Sequence, residues 1–422
     1  MKTPGARQRG FTLLELVMAI AMTGLLIAAA MTLLVNQQRA FDAGSGDRGL
    51  QEAGQTALIA VGDRIRAAGY GVDPAYAFDF GDVDRVPQQG LLSPQRLTHF
   101  QSYACETAVR CRDQKGGALG TGTDELVFVS RNPMFSRPVL SATTSGIRVR
   151  GELSRPILRG QILQVMCLGG NRTRAYVTVA SAVPASATPD PTKDVTIPLL
   201  PGVVTGGFTT FPFQNDQLDD GCFSSGTAVL ALIDRHRFYV TAFTEAGLEV
   251  PIETVGARPY LMDDPGLTND DGGAAVTAVA QDVEDLQLTY FFPQAFAGGP
   301  IQACGARPGT NIADDTPAVT VSVPPPAIDD APGAASRTTG SPANLVAVRV
   351  SVVVRSPAFD ATLVQDVQRT LPAAGNHDAP SLGIPGYRRA LFEETFAIPN
   401  LHSASVVYCA IGTGPGMNRG GC

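Results

Sequence analysis

The longest apolar run in the chain lies near its N-terminus, from Phe11 to Val35, and Glu15 is the single ionisable residue within it. As an α-helix, these roughly 25 residues would extend about 37 Å, whereas the hydrocarbon core of a bilayer is about 30 Å thick. The pattern therefore predicts that residues 11–35 form a membrane-spanning helix.

Helical periodicity continues after Val35, although the composition becomes polar. Apolar residues recur at steps of three and four and share one helix face: Leu50, Ala53, Ala57, Leu58, Val61, Ile65 and Ala68. The stretch 43–46 (A-G-S-G) weakens helix propensity and predicts a kink or fraying, and Gly69 with Gly71 forms a stop signal. Residues 36–69 are thus expected to be the amphipathic second half of the same helix.

Beyond Val72 the pattern predicts short strands separated by turns, since the apolar stretches are rich in β-branched and aromatic residues. These stretches are Leu126–Ser130, Gln161–Leu168, Ala175–Val179, Ala228–Ile233, Phe238–Phe243, Leu286–Phe292, Leu345–Val354, Thr395–Ile398 and Ala404–Cys409. Because no helical crossovers lie between them, we expect antiparallel pairing. The fold class predicted is α+β: a long N-terminal helix packed against an antiparallel β-rich head.

The head is expected to span residues 70–422. Residues 74–122 are interpreted mostly as loop, and a Pro/Gly-rich insertion at about 298–342 is interpreted as a long surface excursion or a mobile insertion. Hydrophobic residues make up 44% and charged residues 17% of the chain, a globular balance. The formal charge of −7 argues against a nucleic-acid-binding surface, and no basic stretch interleaved with aromatic residues stands out.

A short basic leader with Lys2, Arg7 and Arg9 precedes the apolar run and ends at Gly10. The junction G-F-T-L-L-E, residues 10–15, resembles the prepilin processing site of type IV pilins and pseudopilins. An ordinary signal peptide instead places its cleavage site behind the apolar core. The resemblance implies that a membrane aspartyl peptidase removes leader residues 1–10 by cutting between Gly10 and Phe11. It also implies methylation of the new Phe11 amine, with the apolar helix kept on the mature protein.

Glu15 carries a physical argument of its own. A carboxylate within a membrane helix costs about 2.5–3.5 kcal/mol on insertion scales, so such a residue usually has a partner. The resemblance implies that Glu15 pairs with the N-terminal amine of a neighbouring subunit during filament assembly. The alternative is a polar residue tolerated near the membrane edge.

Four further stretches resemble minor pilins of the PilW family. They are L-Q-E-A-G…A-G-Y-G at residues 50–71, V-E-D-L-Q at residues 283–287, and the pair Ala347–Arg355 and Tyr387–Arg389. The resemblance implies a role in priming type IV pilus assembly and in the pilus tip complex, serving adhesion, twitching motility or DNA uptake. The implied partners are other minor pilins, the major pilin, prepilin peptidase and a tip adhesin. The implied location is the inner membrane, with a single pass and a periplasmic head, and then the pilus on the cell surface.

Two alternatives remain open at this stage. One is a J-like minor pseudopilin of a type II secretion system, which the N-terminus does not separate from a minor pilin. The other is a membrane-tethered periplasmic enzyme or binding protein, which would require an uncut Gly10–Phe11 bond.

The chain has seven cysteines, and export makes disulfides plausible. None forms a C-x-x-C pair, and the histidines stand apart, so no structural zinc site is expected. Cys105 with Cys111 could close a local loop, and Cys167 with Cys222 is a further candidate pair, leaving Cys304 over. The pilin resemblance suggests that Cys409 and Cys422 clip the C-terminal tail. Connectivity stays open.

The sequence gives little indication of metal binding or of catalysis. The acidic stretch from Asp263 to Gly272 has oxygen ligands that suit Ca²⁺, but its spacing does not match an EF-hand, and a solvated turn is favoured. No G-x-S-x-G, H-E-x-x-H or P-loop motif occurs, so we expect no enzyme, no cofactor and no metal. The histidines, His99, His236, His377 and His402, are expected to be surface or satisfied residues. The insertion and the loop Ala182–Asp194 are candidate partner surfaces, or tolerated disorder.

Overall fold

The computed structural model describes residues 12–72, 77–79, 126–143, 145–167, 174–199, 227–250, 254–269, 275–294, 307–314, 347–357 and 386–402, with the single positions 123, 252, 273, 345 and 359. The helices are α1 (Leu13–Ile65) and α2 (Pro399–His402). The strands are β1 (Phe78–Asp79), β2 (Leu126–Thr143), β3 (Gly146–Arg150), β4 (Ile162–Cys167), β5 (Arg174–Thr178), β6 (Asp194–Pro198), β7 (Ala228–Phe243), β8 (Glu249–Val250), β9 (Arg258–Asp263), β10 (Thr277–Gln281), β11 (Val283–Gln294), β12 (Arg307–Asp314), β13 (Ala347–Arg355) and β14 (Arg389–Ala397).

Helix α1 is continuous over 53 residues. All seven residues of the predicted apolar face are buried, which confirms that prediction. The fraying expected at 43–46 is absent, because α1 runs through these positions. Packing against the head compensates for the weak helix propensity of these residues, because the next turn of α1 lies close to the head. A Cβ atom on Gly49 would lie 3.0 Å from Pro357 Cγ.

A four-stranded antiparallel sheet packs beside the second half of α1, in the order β12–β11–β13–β14. Its apolar side chains, the buried face of α1 and the ends of β2, β7 and β9 form one hydrophobic core. This arrangement confirms the predicted α+β class, with a long helix against an antiparallel β-rich head.

The other ten strands, β1–β10, form a second sheet, and its two longest members are β2 with 18 residues and β7 with 16. Strands β2, β3, β6, β5, β4 and β7 follow one another in a ring. Pairing of Val179 with Leu199 links the ends of β5 and β6, and the Ala180 N–H donates to the Pro198 carbonyl at 2.9 Å. This ring, here called the barrel lobe, encloses a hydrophobic core of its own.

The strand predictions mostly agree with the structure, with two corrections. The stretches Ala228–Ile233 and Phe238–Phe243 belong to one strand, β7. The polar residues between them misled the pattern, because Arg237 is fully buried against Asp264. The expected surface excursion at 298–342 contains β12, which pairs with β11. The predicted strand Ala404–Cys409 lies outside the described residues.

Candidate functional site

The N-terminal half of α1 stands clear of the head. Within the described part of the chain, it is the one helix that is long and apolar enough to cross a membrane, at Leu13–Gln38 with a mean hydropathy of 2.3. None of this segment is buried, and large side chains such as Leu13 and Leu25 are 82% and 75% exposed. About 39 Å of apolar helix therefore needs a cover of lipid or of other helices.

Glu15 takes part in a capping box at the start of α1. The Thr12 N–H and hydroxyl both donate to Glu15 Oε2 at 3.0 Å, and the Glu15 N–H donates to Thr12 Oγ1 at 3.3 Å. The carboxylate thus caps its own helix at an exposed position. Gly10 and Phe11, the predicted cleavage and methylation residues, lie outside the described residues.

Two glycines of α1 allow strand β14 to approach closely. A Cβ atom on Gly54 would overlap the ring of Phe392, and a Cβ atom on Gly62 would overlap the ring of Phe396. Phe396 is 2% exposed, so this contact belongs to the core. The glycine of the L-Q-x-x-G stretch therefore has a packing role between helix and head.

The A-G-Y-G stretch attaches the end of α1 to strand β2. Gly69 and Gly71 have φ values of +75° and +66°, a region that favours glycine. The Gly69 N–H donates to the Val129 carbonyl at 2.9 Å, and the Arg131 N–H donates to the Tyr70 carbonyl at 2.7 Å. The Arg131 guanidinium also lies 5.4 Å from the centre of the Tyr70 ring.

A buried ion network joins β11, β13 and β14. Glu284 accepts two hydrogen bonds from the Arg389 guanidinium, one of them at 3.1 Å from Nη2, and lies 3.6 Å from Arg355 Nη1. Asp282 accepts two more from Arg258, at 3.1 and 2.7 Å, and this hydrogen bonding raises the pKa of Arg258. Asp282 has a φ of 63°, so the backbone turns sharply where the network is held.

Three of the four stretches that resemble PilW minor pilins meet at this network, whereas the one at residues 50–71 lies at the contact between α1 and the head. Glu284 comes from V-E-D-L-Q, Arg355 from the β13 stretch, and Arg389 from the segment Tyr387–Arg389. The Arg355 guanidinium also lies 4.3 Å from the centre of the Tyr387 ring. Glu284, Arg355 and Arg389 lie more than 30 positions apart from one another in the chain, yet they build one contact in the head.

The acidic stretch at 263–272 is only partly described, and its first two aspartates serve the fold. Asp263 Oδ2 lies 2.9 Å from His236 Nδ1, and Asp264 Oδ2 accepts from Arg237 Nη1 at 3.2 Å. Asp264 is 6% exposed, so the solvated-turn prediction is wrong for it. The described residues contain no group of three or more His, Cys, Asp or Glu that could hold a metal ion.

Cys167 is buried at the end of β4 and is disulfide-bonded. The other six cysteines lie outside the described residues, so none of the suggested pairings is tested.

The candidate partner loop Ala182–Asp194 is held to the neighbouring loop at residues 151–157. The Ser186 N–H donates to the Leu153 carbonyl at 2.8 Å, and the Glu152 N–H donates to the Asp190 carbonyl at 2.9 Å. In return, the Asp190 N–H donates to Glu152 Oε2 at 3.0 Å. This bond, with smaller contributions from Ser186 and Lys193, lowers the pKa of Glu152. The loop is an ordered part of the barrel lobe.

The net charge of −7 for the whole chain conceals a positive charge on the barrel lobe. Residues 126–199 contain nine Lys or Arg and three Asp or Glu, a formal charge of +6, so the rest of the chain carries −13 out of a total of −7. Counting charge per segment would have revealed this asymmetry.

Comparison with known proteins gives one match. The family model described as the prokaryotic N-terminal methylation motif matches residues 5–31, which include Gly10, Phe11 and Glu15. No curated protein and no solved structure matches the chain. The chain is therefore pilin-like: it carries a prepilin-type N-terminal motif on an apolar helix that suits a membrane anchor.

Proposed function

We propose that this protein is a PilW-like minor pilin that takes part in priming type IV pilus assembly and in the pilus tip complex. The observation that carries the proposal is the convergence of the PilW-like stretches on the helix–head contact and its ion network. The N-terminal methylation motif supports the broader assignment to pilin-like proteins. The role is structural rather than enzymatic.

In this proposal, residues 1–10 are a leader that prepilin peptidase removes between Gly10 and Phe11, and the new Phe11 amine is methylated. Residues 11–35 hold the subunit in the inner membrane and later lie in the filament core. Residues 36–69 carry the head, residues 70–422, in the periplasm and then at the cell surface. The partners are other minor pilins, the major pilin and a tip adhesin.

Mass spectrometry of the mature N-terminus tests the processing step. The proposal expects an N-methylated Phe11 at this terminus, and the methylation motif matched at residues 5–31 supports it. An intact Met1 terminus on protein from the native membrane would contradict every pilin assignment and would favour a membrane-tethered enzyme or binding protein.

A deletion strain separates the pilus from the type II secretion alternative. The proposal expects loss of surface pili and of twitching motility, with protein secretion unchanged. A J-like pseudopilin would give the reverse, loss of secretion with normal pili. Complementation with the intact gene controls for effects on neighbouring genes.

A further inference from the structure

The barrel lobe has an unusual feature where the hydrogen-bond ladder between β2 and β7 is interrupted. The register shifts between Arg131 and Ser136, and the chain then continues in β2. Phe135 and Val139 are buried, whereas Ser136 and Pro138 between them are exposed. Because side chains alternate along a strand, Arg137 shares the inward face with Phe135 and Val139. A charged side chain therefore lies on the strand face that borders the apolar core of the barrel lobe.

Two arginines meet the ring of Phe135. The guanidinium carbon of Arg137 lies 5.9 Å from the ring centre, and that of Arg155 lies 5.4 Å from it. Phe135 itself is 6% exposed. The ring therefore fixes both guanidinium groups, which stack readily on aromatic faces.

Neither arginine has its hydrogen-bonding capacity satisfied. Arg137 Nε and Arg155 Nη2 are buried and have no acceptor in the described part of the chain. A buried donor without a partner is costly, and more so when it belongs to a charged group. As whole residues Arg137 and Arg155 are only partly buried, so the two guanidinium groups on this ring remain open to an incoming anion.

The acidic groups of the adjoining loops are already engaged elsewhere. Glu152 accepts from the Asp190 N–H and pairs with Lys193 at 3.3 Å. Asp190 accepts from the N–H and the hydroxyl of Thr192, at 2.9 and 2.6 Å. The loop at residues 151–157 carries Arg155 and is joined to the loop Ala182–Asp194 by backbone hydrogen bonds. The protein therefore holds this arginine in place without neutralising its charge.

We propose that this end of the barrel lobe, defined by Phe135, Arg137 and Arg155, is a docking site for the carboxylates of an acidic segment on a partner protein. The arginine fork matches a carboxylate in a bidentate way, and the +6 charge of residues 126–199 would attract an acidic chain. Exposed Met134, at 86%, adds an apolar contact that suits a protein partner. Nucleic acid is disfavoured because the buried Phe135 ring cannot stack on a base. The proposal stands apart from the filament role, since it uses no residue of α1.

Fluorescence anisotropy with the full chain in detergent tests the site, with labelled octaglutamate as the probe. We expect octaglutamate to bind, and the double variant R137Q/R155Q to weaken binding by at least ~10-fold, because both charge-assisted contacts to the carboxylates are lost. The control R148Q/R150Q removes the same charge from the outer face of β3 and should weaken binding by no more than ~3-fold.

The remaining outcomes are also decisive. Equal losses in the two double variants would overturn the site, because general attraction would then explain binding. Tighter binding of a thymidine oligonucleotide or of anionic lipid vesicles than of octaglutamate would overturn the partner class, and absence of any binding would overturn the proposal. If R137Q/R155Q does not fold by circular dichroism, R137K/R155K keeps both charges but loses the fork, and unchanged affinity in that variant would contradict the site.

Discussion

Gly62 of α1 lies directly beneath the ring of Phe396 in β14, and a Cβ atom at this position would overlap the ring. Gly54, two turns earlier, has the same relationship to Phe392. Glycine in the middle of a helix costs about 1 kcal/mol relative to alanine. Close packing of two aromatic rings against the helix backbone explains why glycine stands at both positions.

Replacing Gly62 with alanine should destabilise the head. Because the added methyl group meets a buried ring, we expect G62A to lower the free energy of unfolding by about 1–3 kcal/mol. Denaturant unfolding of the full chain in detergent, followed by circular dichroism, measures this change.

Gly44 provides the matched control, since nothing lies within 4 Å of a Cβ atom there. G44A in the same helix should be neutral or stabilising by up to about 1 kcal/mol. A G62A protein as stable as G44A would show that the helix does not press on Phe396 in solution.

The ion pair of Glu284 and Arg389 should contribute strongly, because both side chains are almost wholly buried, at 4% and 3% exposure. E284Q would remove the carboxylate that pairs with Arg389 and leave Arg355 with only its longer contact to Asp282, at 3.9 Å. Removing one partner of a buried pair costs about 3–5 kcal/mol. Unfolding of E284Q in denaturant should therefore begin well below the wild-type midpoint.

E394Q is the comparison for that experiment. Glu394 is 48% exposed and lies 3.7 Å from Arg66, so its loss should cost no more than about 1 kcal/mol. A similar, small effect of both substitutions would mean that water reaches the network.

Periodicity predicted the buried face of α1 correctly, from Leu50 to Ala68, since a helix on one core leaves a regular trace in the sequence. The lack of helical crossovers between the strand stretches predicted, also correctly, that the strands pair antiparallel. The motif around Glu15 could be recognised in the sequence because a carboxylate within an apolar run is rare. In each case the signal lies within a few neighbouring residues.

The barrel lobe and the ion network were not predictable in this way. Closure of the ring depends on Val179 meeting Leu199, a contact that no local pattern contains. The fully buried Arg237 made β7 look like two strands with a polar break. The pairing of Arg137 and Arg155 around Phe135 likewise joins separate segments, so only tertiary structure could bring it to light.

The loop Ala182–Asp194 should loosen in acid. Hydrogen bonding from the Asp190 N–H lowers the pKa of Glu152 below its ordinary 4.5, and hydrogen bonds from Thr192 lower the pKa of Asp190 below 3.8. A lowered folded-state pKa means that the stabilisation is present at neutral pH and is lost as the pH falls below these ordinary values. Amide exchange of Asp190, corrected for its intrinsic rate, should lose protection in that range.

The Ala180 amide is the internal control, because it lies outside the loop and its acceptor is the Pro198 carbonyl, which does not titrate. In E152Q, the acid-induced change at the Asp190 amide should disappear. If the Asp190 amide keeps the same pH dependence in E152Q, then Glu152 is not the group that orders the loop.

The role of Glu15 in subunit pairing gives the sharpest test of the proposed function. E15Q should enter the membrane at least as well as the wild type, because an ionised carboxylate costs about 2.5–3.5 kcal/mol within a membrane helix. It should nevertheless co-purify with other pilins at least ~10-fold less, since a charged pair in a low-dielectric environment is strongly weakened when one charge is removed.

Glu52 lies on the exposed face of the same helix, so E52Q should co-purify like the wild type. Because Glu15 also caps α1 through Thr12, circular dichroism of E15Q must show unchanged helix content. Wild-type co-purification of E15Q would mean that the carboxylate serves only as a helix cap.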